Sequence, residues 1–257
     1  MKLFRPWLIT LLIAPALVFA SETRTIELPD GDMMDMRVVK PESDSANAMI
    51  LGFPCDQGMR QVELRMSEQI AEQNIEVWMA DLLGSHFLPS EASSMRNLTG
   101  EEVLALIEDA HEQTGKRVYL VTAGFGAIPV LRGAKEWVDK YQGTEKEKVV
   151  AGAILLYPEL NASEPEPGVA MQYMSITSQT SIPVYILQPE NTPARWWLDQ
   201  LKTELEKGGA QVTIDILPKV RGYFFMRPNA TEHEKSVSHV LPQIVVNAMN
   251  QMNTAQE

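Results

Sequence analysis

The sequence has 257 residues, with 22 basic against 34 acidic side chains and a formal net charge of −12. An acidic balance of that size argues against nucleic acid and against anionic lipid surfaces as partners. Cys55 is the single cysteine, so an internal disulfide is excluded and stability must come from an ordinary core, which a chain of this length can build.

The chain opens with Lys2 and Arg5, continues with a mostly apolar run from Pro6 to Phe19, and reaches Ala20 before Ser21. A short apolar core after early positive charge, with Val18 and Ala20 fitting a small-x-small exit, predicts a cleavable secretory signal of bacterial type over residues 1–20. The run is shorter than the roughly 20 residues of a spanning helix, and no later run is long enough either. The expectation is a periplasmic or secreted protein whose residues 21–257 form a single domain. Losing Lys2 and Arg5 moves its charge from −12 to −14.

In chain order, Thr25–Leu28 and Met33–Val39 read as strands around the turn Pro29-Asp30-Gly31-Asp32. Pro41–Asn47 reads as a loop, Ala48–Gly52 as a buried strand and Phe53–Gly58 as a loop. Met59, Val62, Met66 and Ile70 recur at helical spacing, which predicts an amphipathic helix up to Gln73. Ile75–Ala80 is a strand and Asp81–Leu98 a long loop. Thr99 followed by Glu102 resembles a capped helix start, with the helix running to about Gln113. Val118–Thr122 is a strand, and Gly126–Trp137 a helix with Pro129 in its first turn. The polar run Lys140–Lys148 should be exposed. Val149–Tyr157 and Pro183–Gln188 are strands, joined by Pro158–Ser181 with three prolines and one short helix. Arg195–Lys207 is a helix stopped by Gly208-Gly209, Gln211–Leu217 the final strand, and Val237–Met252 a closing helix with Pro242 near its start. A hairpin followed by alternating strands and helices implies an α/β fold. Its sheet is mixed, parallel in its later part, with helices on both faces.

The segment Val118-Tyr119-Leu120-Val121-Thr122-Ala123-Gly124-Phe125-Gly126-Ala127 resembles the nucleophile elbow of the α/β-hydrolase superfamily, a strand–turn–helix with the pattern small-x-nucleophile-x-small. The order of elements along residues 21–257 is similar to that family as well. The resemblance implies a mostly parallel central sheet with an N-terminal antiparallel hairpin. It aligns Gly124 with the nucleophile, so the elbow is degenerate. A nucleophile at that position is held at positive φ, which glycine adopts without steric cost. The resemblance places the family's acid near Glu190, after the penultimate strand. It places the base after the last strand, where Val220–Phe225 contains no histidine; His233 and His239 come later. No serine-hydrolase set is therefore present at the expected positions.

Other chemistry is weaker. Cys55 follows a strand in the loop where the resemblance puts the oxyanion loop, and Ser85 and His86 follow the next strand. Cys55 or Ser85 with His86 is a candidate displaced catalytic set; a buried, inert cysteine is the alternative. The methionines of Met33-Met34-Asp35-Met36 alternate in direction along a strand, so packing explains them better than a copper(I) site. His86, His111, His233 and His239 lack zinc-like spacing, and the chain has neither a Walker-type loop nor a cofactor motif. Of the adjacent Trp196 and Trp197, one should pack inward, and an exposed one would mark a partner surface. Three readings remain. The first is a non-catalytic pseudoenzyme of the cell envelope that binds a small molecule or an exported protein. The second is an esterase with a displaced catalytic set. The third is a thiol-dependent partner protein acting through Cys55. The sequence leaves the oligomeric state open.

Overall fold

The computed structural model describes residues 21–254 except Pro29, Asp44, Pro165 and Pro167, so the expected signal over residues 1–20 lies outside the described residues. Among the described residues eight strands make one sheet: β1 (Ser21–Glu27), β2 (Met33–Val39), β3 (Ala48–Gly52), β4 (Glu76–Ala80), β5 (Arg117–Ala123), β6 (Val150–Leu156), β7 (Val184–Asn191) and β8 (Val212–Arg221). Their spatial order is β1-β2-β4-β3-β5-β6-β7-β8. β2 pairs antiparallel with β1 and β4, and all other neighbours are parallel.

Among the described residues the α-helices are α1 (Gln61–Ala71), α2 (Leu82–Ser85), α3 (Ala92–Asn97), α4 (Glu101–Thr114), α5 (Ala127–Tyr141), α6 (Leu198–Lys207) and α7 (Glu232–Thr254). Side chains alternate across each strand, which divides the apolar residues into two cores. On one face Met34, Met36, Met49 and Leu51 pack with Leu106 of α4, Leu131 of α5 and Leu201 of α6. On the other, Ile50, Val77 and Tyr119 pack with Ile70 of α1 and Leu241 and Val245 of α7. Met34 and Met36 are wholly buried and Met33 is exposed, which is the packing role expected for that run. Arg24 of β1 grips Asp109 of α4 with two hydrogen bonds of 2.7 and 2.6 Å, tying the hairpin to the helical layer.

Three expectations need correction. The span 81–98 is not a loop throughout: it holds α2 and α3, because the Asp81 carboxylate accepts the Gly84 amide at 3.0 Å and caps α2. The polar run after Trp137 continues α5 to Tyr141 and then makes a short 3-10 turn over Glu145–Val149. The closing helix begins at Glu232, which leaves Pro242 in its interior. The earlier start comes from Thr231 and Glu234. Thr231 Oγ1 accepts the Glu234 amide at 3.2 Å, and Glu234 Oε2 accepts the Thr231 amide at 2.8 Å, a reciprocal cap. Glu234 is buried and also accepts Arg221 Nε at 2.7 Å and Nη2 at 2.6 Å, fixing the end of β8 to the start of α7.

Near its end β8 contains Pro218 and then Lys219, whose φ is +57°. The Lys219 amide donates to Glu190 Oε2 at 2.9 Å, so the side chain expected near the family's acid position closes the β7–β8 margin. Glu190 Oε1 also lies 3.7 Å from Arg195 Nη1. No helix among the described residues is long and apolar enough to cross a membrane.

Candidate functional site

The parallel strands β3 to β8 all end at one edge of the sheet, and the loops leaving them converge there. In open α/β sheets this carboxyl edge is where ligands bind. β5 runs through Ala123 into a buried 3-10 turn over Gly124–Gly126, and α5 starts at Ala127. Gly124 has φ +56°, in the left-handed region where a Cβ is strained. Gly126 is needed for close approach: a Cβ there would lie 2.2 Å from Thr122 Oγ1 and 3.0 Å from the Pro54 carbonyl oxygen. The loop Phe53–Gly58 therefore stands directly against this turn.

The space beside Gly124 is already filled. A Cβ at Gly124 would lie 2.6 Å from Tyr223 Oη and 3.3 Å from Asp56 Oδ1. Tyr223 comes from the segment after β8, at φ +57°, and its hydroxyl donates to Asp56 Oδ1 at 2.9 Å. Asp56 Oδ2 accepts Gln57 Nε2 at 3.1 Å. On the third side, the Glu159 amide donates to the Gly124 carbonyl at 3.0 Å, and Tyr157 packs its ring 4.8 Å from that of Tyr223. Tyr157 has φ +38°, and its buried hydroxyl has no hydrogen-bond partner.

Electrostatics follow from burial and crowded acids. Burial raises the Glu159 carboxyl to about 7, repulsion from Asp56 and Glu164 adds to the rise, and Arg96 opposes it. The Tyr223 hydroxyl is pushed far above the tyrosine range by burial first and then by Glu159 and Asp56, so it stays a donor. Arg96 of α3 stacks its guanidinium 4.5 Å over the Phe125 ring. A cavity of about 380 Å³ opens beside these groups, lined by Phe125, Tyr157, Glu159, Tyr173, Trp197 and Tyr223 among others. Trp197 thus faces the cavity, while Trp196 is 82% exposed.

The candidates named from the sequence are dispersed. Cys55 is buried next to the elbow in the apolar core under α1 and α7, and burial pushes its thiol up to about 12. That environment disfavours a thiolate. His86 sits elsewhere, with Nδ1 3.7 Å from Asp32 Oδ2 and Nε2 3.5 Å from Glu102 Oε1. Ser85 Oγ donates to the Asp81 carbonyl at 2.8 Å. Among the described residues, no hydrogen bond joins Cys55 or Ser85 to His86. His233 Nε2 contacts the Pro218 carbonyl at 2.9 Å, His111 Nδ1 the Lys116 carbonyl at 2.9 Å, and His239 is exposed on α7. Asp56, Tyr157, Glu159 and Tyr223 were missed. Their only sequence signal is position: each lies within a few residues of the carboxyl end of one of the parallel strands β3, β6 and β8.

No family model and no curated protein matches the chain. Solved structures do match its fold. The esterase Est22 superposes with a TM-score of 0.68 at 12% identity, covering 92% of this chain and 82% of that one. A putative dienelactone hydrolase from Klebsiella pneumoniae subsp. pneumoniae MGH 78578 superposes with a TM-score of 0.64 at 12% identity, covering 90% and 99%. Carboxyl esterase 2 from the fungus Tuber melanosporum gives 0.62 at 14% identity, covering 93% and 89%. With its mostly parallel eight-stranded sheet, N-terminal antiparallel hairpin and these matches, the chain has the α/β-hydrolase fold.

Proposed function

We propose that this is an exported, non-catalytic protein of the cell envelope that keeps the α/β-hydrolase scaffold for ligand binding or an accessory role. The observation that carries the reading is the 2.6 Å between Tyr223 Oη and the place where a Cβ at Gly124 would stand. A nucleophile needs that volume for its side chain and a base to activate it. Here the volume holds a tyrosine bonded to Asp56, and none of the four histidines has a contact at the turn. The adjoining cavity of about 380 Å³ falls within the size range of small-molecule sites, and its aromatic lining suits a ligand held by stacking and burial. Export rests on the first 20 residues of the sequence.

Because the structural neighbours are named esterases, esters are the substrates to try. Purified protein is assayed against p-nitrophenyl esters of several chain lengths, beside Cys55→Ala and His86→Ala. Hydrolysis no faster than buffer in all three is the expected result. Turnover that either substitution removes overturns the non-catalytic reading in favour of an esterase with a displaced set. Cell fractionation with N-terminal sequencing checks export; recovery in the cytoplasm alone with Met1 retained overturns it.

A further inference from the structure

We propose that Asp30, Asp32 and His86 form a binding site for one divalent transition-metal ion, Zn²⁺ by donor type, with Glu102 orienting the imidazole. His86 is distant in sequence from the two aspartates, so the spacing gives no motif. The topology assembles them. β2 runs antiparallel to β4, with Met36 opposite Ala80, so the turn before β2 stands over the segment leaving β4. Within that turn the Asp32 amide donates to Asp30 Oδ1 at 3.0 Å and the Leu28 amide to the Asp32 carbonyl at 2.7 Å, holding both aspartates near one another. His86 ends α2, directly after β4. One oxygen of each aspartate and one ring nitrogen of His86 all lie within 4.8 Å of one another.

The spacing fits an ion better than a direct bond. Asp32 Oδ2 is 3.7 Å from His86 Nδ1, too long for a hydrogen bond. Two ligands with bonds of about 2.1 Å at the tetrahedral angle stand about 3.4 Å apart, so a small side-chain rotation brings both onto one ion. The far side of the ring supports the same assignment. His86 Nε2 is buried and lacks a hydrogen bond, and Glu102 Oε1 lies 3.5 Å from it, within reach of a small adjustment. A metal-bound histidine characteristically gives its second N–H to a carboxylate, which fixes its tautomer and orientation. The imidazole is 14% exposed, whereas Asp32 is 67% exposed, so the ring is anchored and the outer positions are open to water. One imidazole with two carboxylates selects Zn²⁺ over Ca²⁺ or Mg²⁺, which take oxygen ligands.

The test is calorimetric titration of chelator-stripped whole protein with ZnCl₂, and separately with CaCl₂, together with thermal unfolding. One equivalent of Zn²⁺ should bind, and a hundredfold excess over Kd should raise Tm by roughly 5–10 °C for a domain of this size. His86→Gln and Asp32→Asn should each weaken binding at least tenfold, and Glu102→Gln about tenfold. Asp35→Asn, at an exposed carboxylate of the same hairpin, should bind as the parent does. Metal-free Tm values of the variants, compared with the parent, confirm that they fold. Saturable binding that is unchanged in His86→Gln, absence of saturable Zn²⁺ binding, or preference for Ca²⁺ overturns the proposal.

Discussion

Substituting Gly124 by alanine tests the packing at the turn. The methyl group would enter at φ +56°, which costs about 1–2 kcal/mol for a residue with a Cβ. It would also meet Tyr223 Oη at 2.6 Å and must displace that hydroxyl from Asp56. Loss of a hydrogen bond between partly buried groups adds about 1–3 kcal/mol. The sum, about 2–5 kcal/mol, corresponds to a fall in Tm of about 4–20 °C for a domain of this size. The two contributions separate in a double-mutant cycle with Tyr223→Phe. Removing the hydroxyl leaves Tyr223 Cζ, 3.4 Å from the new methyl and in ordinary contact. Gly124→Ala in the Tyr223→Phe background should then cost only the backbone strain, giving a coupling of about 1–3 kcal/mol. The measurement is urea unfolding of the four proteins followed by circular dichroism. Equal costs in the two backgrounds would refute the claim that Tyr223 fills the nucleophile's volume.

Other groups yield further tests. The Glu159 carboxyl is raised to about 7, so the folded state prefers its protonated form, and the stability it contributes is present at low pH and is lost as pH rises toward 7. Glu159→Gln should flatten the decline in Tm over that window; a parallel pH profile would count against a buried carboxyl. Glu234 is shifted the opposite way, chiefly by its bonds to Arg221, so its contribution is present above the usual carboxylate range and fades in acid. Glu234→Gln should lower Tm at pH 7, and the gap to the parent should narrow steadily as pH falls below the usual carboxylate range, as differential calorimetry would show. Cys55, held near 12 by burial, should resist a disulfide reagent at pH 8 in the native protein and react within the mixing time in guanidinium. Rapid native labelling would revive the thiol-dependent reading.

The strands were legible because their burial is uniform or alternating. β2 and β3 occupy the spans expected from Met33–Val39 and Ala48–Gly52, where apolar residues either alternate or run unbroken. The strand–turn–helix at Gly124 was legible because a glycine pair after an apolar strand is a local pattern. α2 and α3 escaped notice because each is shorter than the window over which helical periodicity can be read. Pro242 drew the expected start of the closing helix too far along, since proline is common in first turns, while the true start is set by Thr231 and Glu234. The site itself was the least legible part. Asp56, Glu159 and Tyr223 lie on loops leaving β3, β6 and β8, and only the folded sheet brings them to Gly124. Cys55 and His86 looked like a pair because they follow neighbouring strands, yet Cys55 turns into the core and His86 toward the hairpin.

An open sheet has two free margins, each a row of backbone groups able to recruit another chain. The last turns of β8 deny that role. Pro218 has no amide hydrogen to offer, the Lys219 amide is committed to Glu190, and the left-handed φ at Lys219 bends the strand out of line. A newcomer adding along β8 would meet a proline and a bend where a regular ladder should continue. Glu190, by taking the Lys219 amide at 2.9 Å, thus holds this bent end of β8 against its neighbour β7.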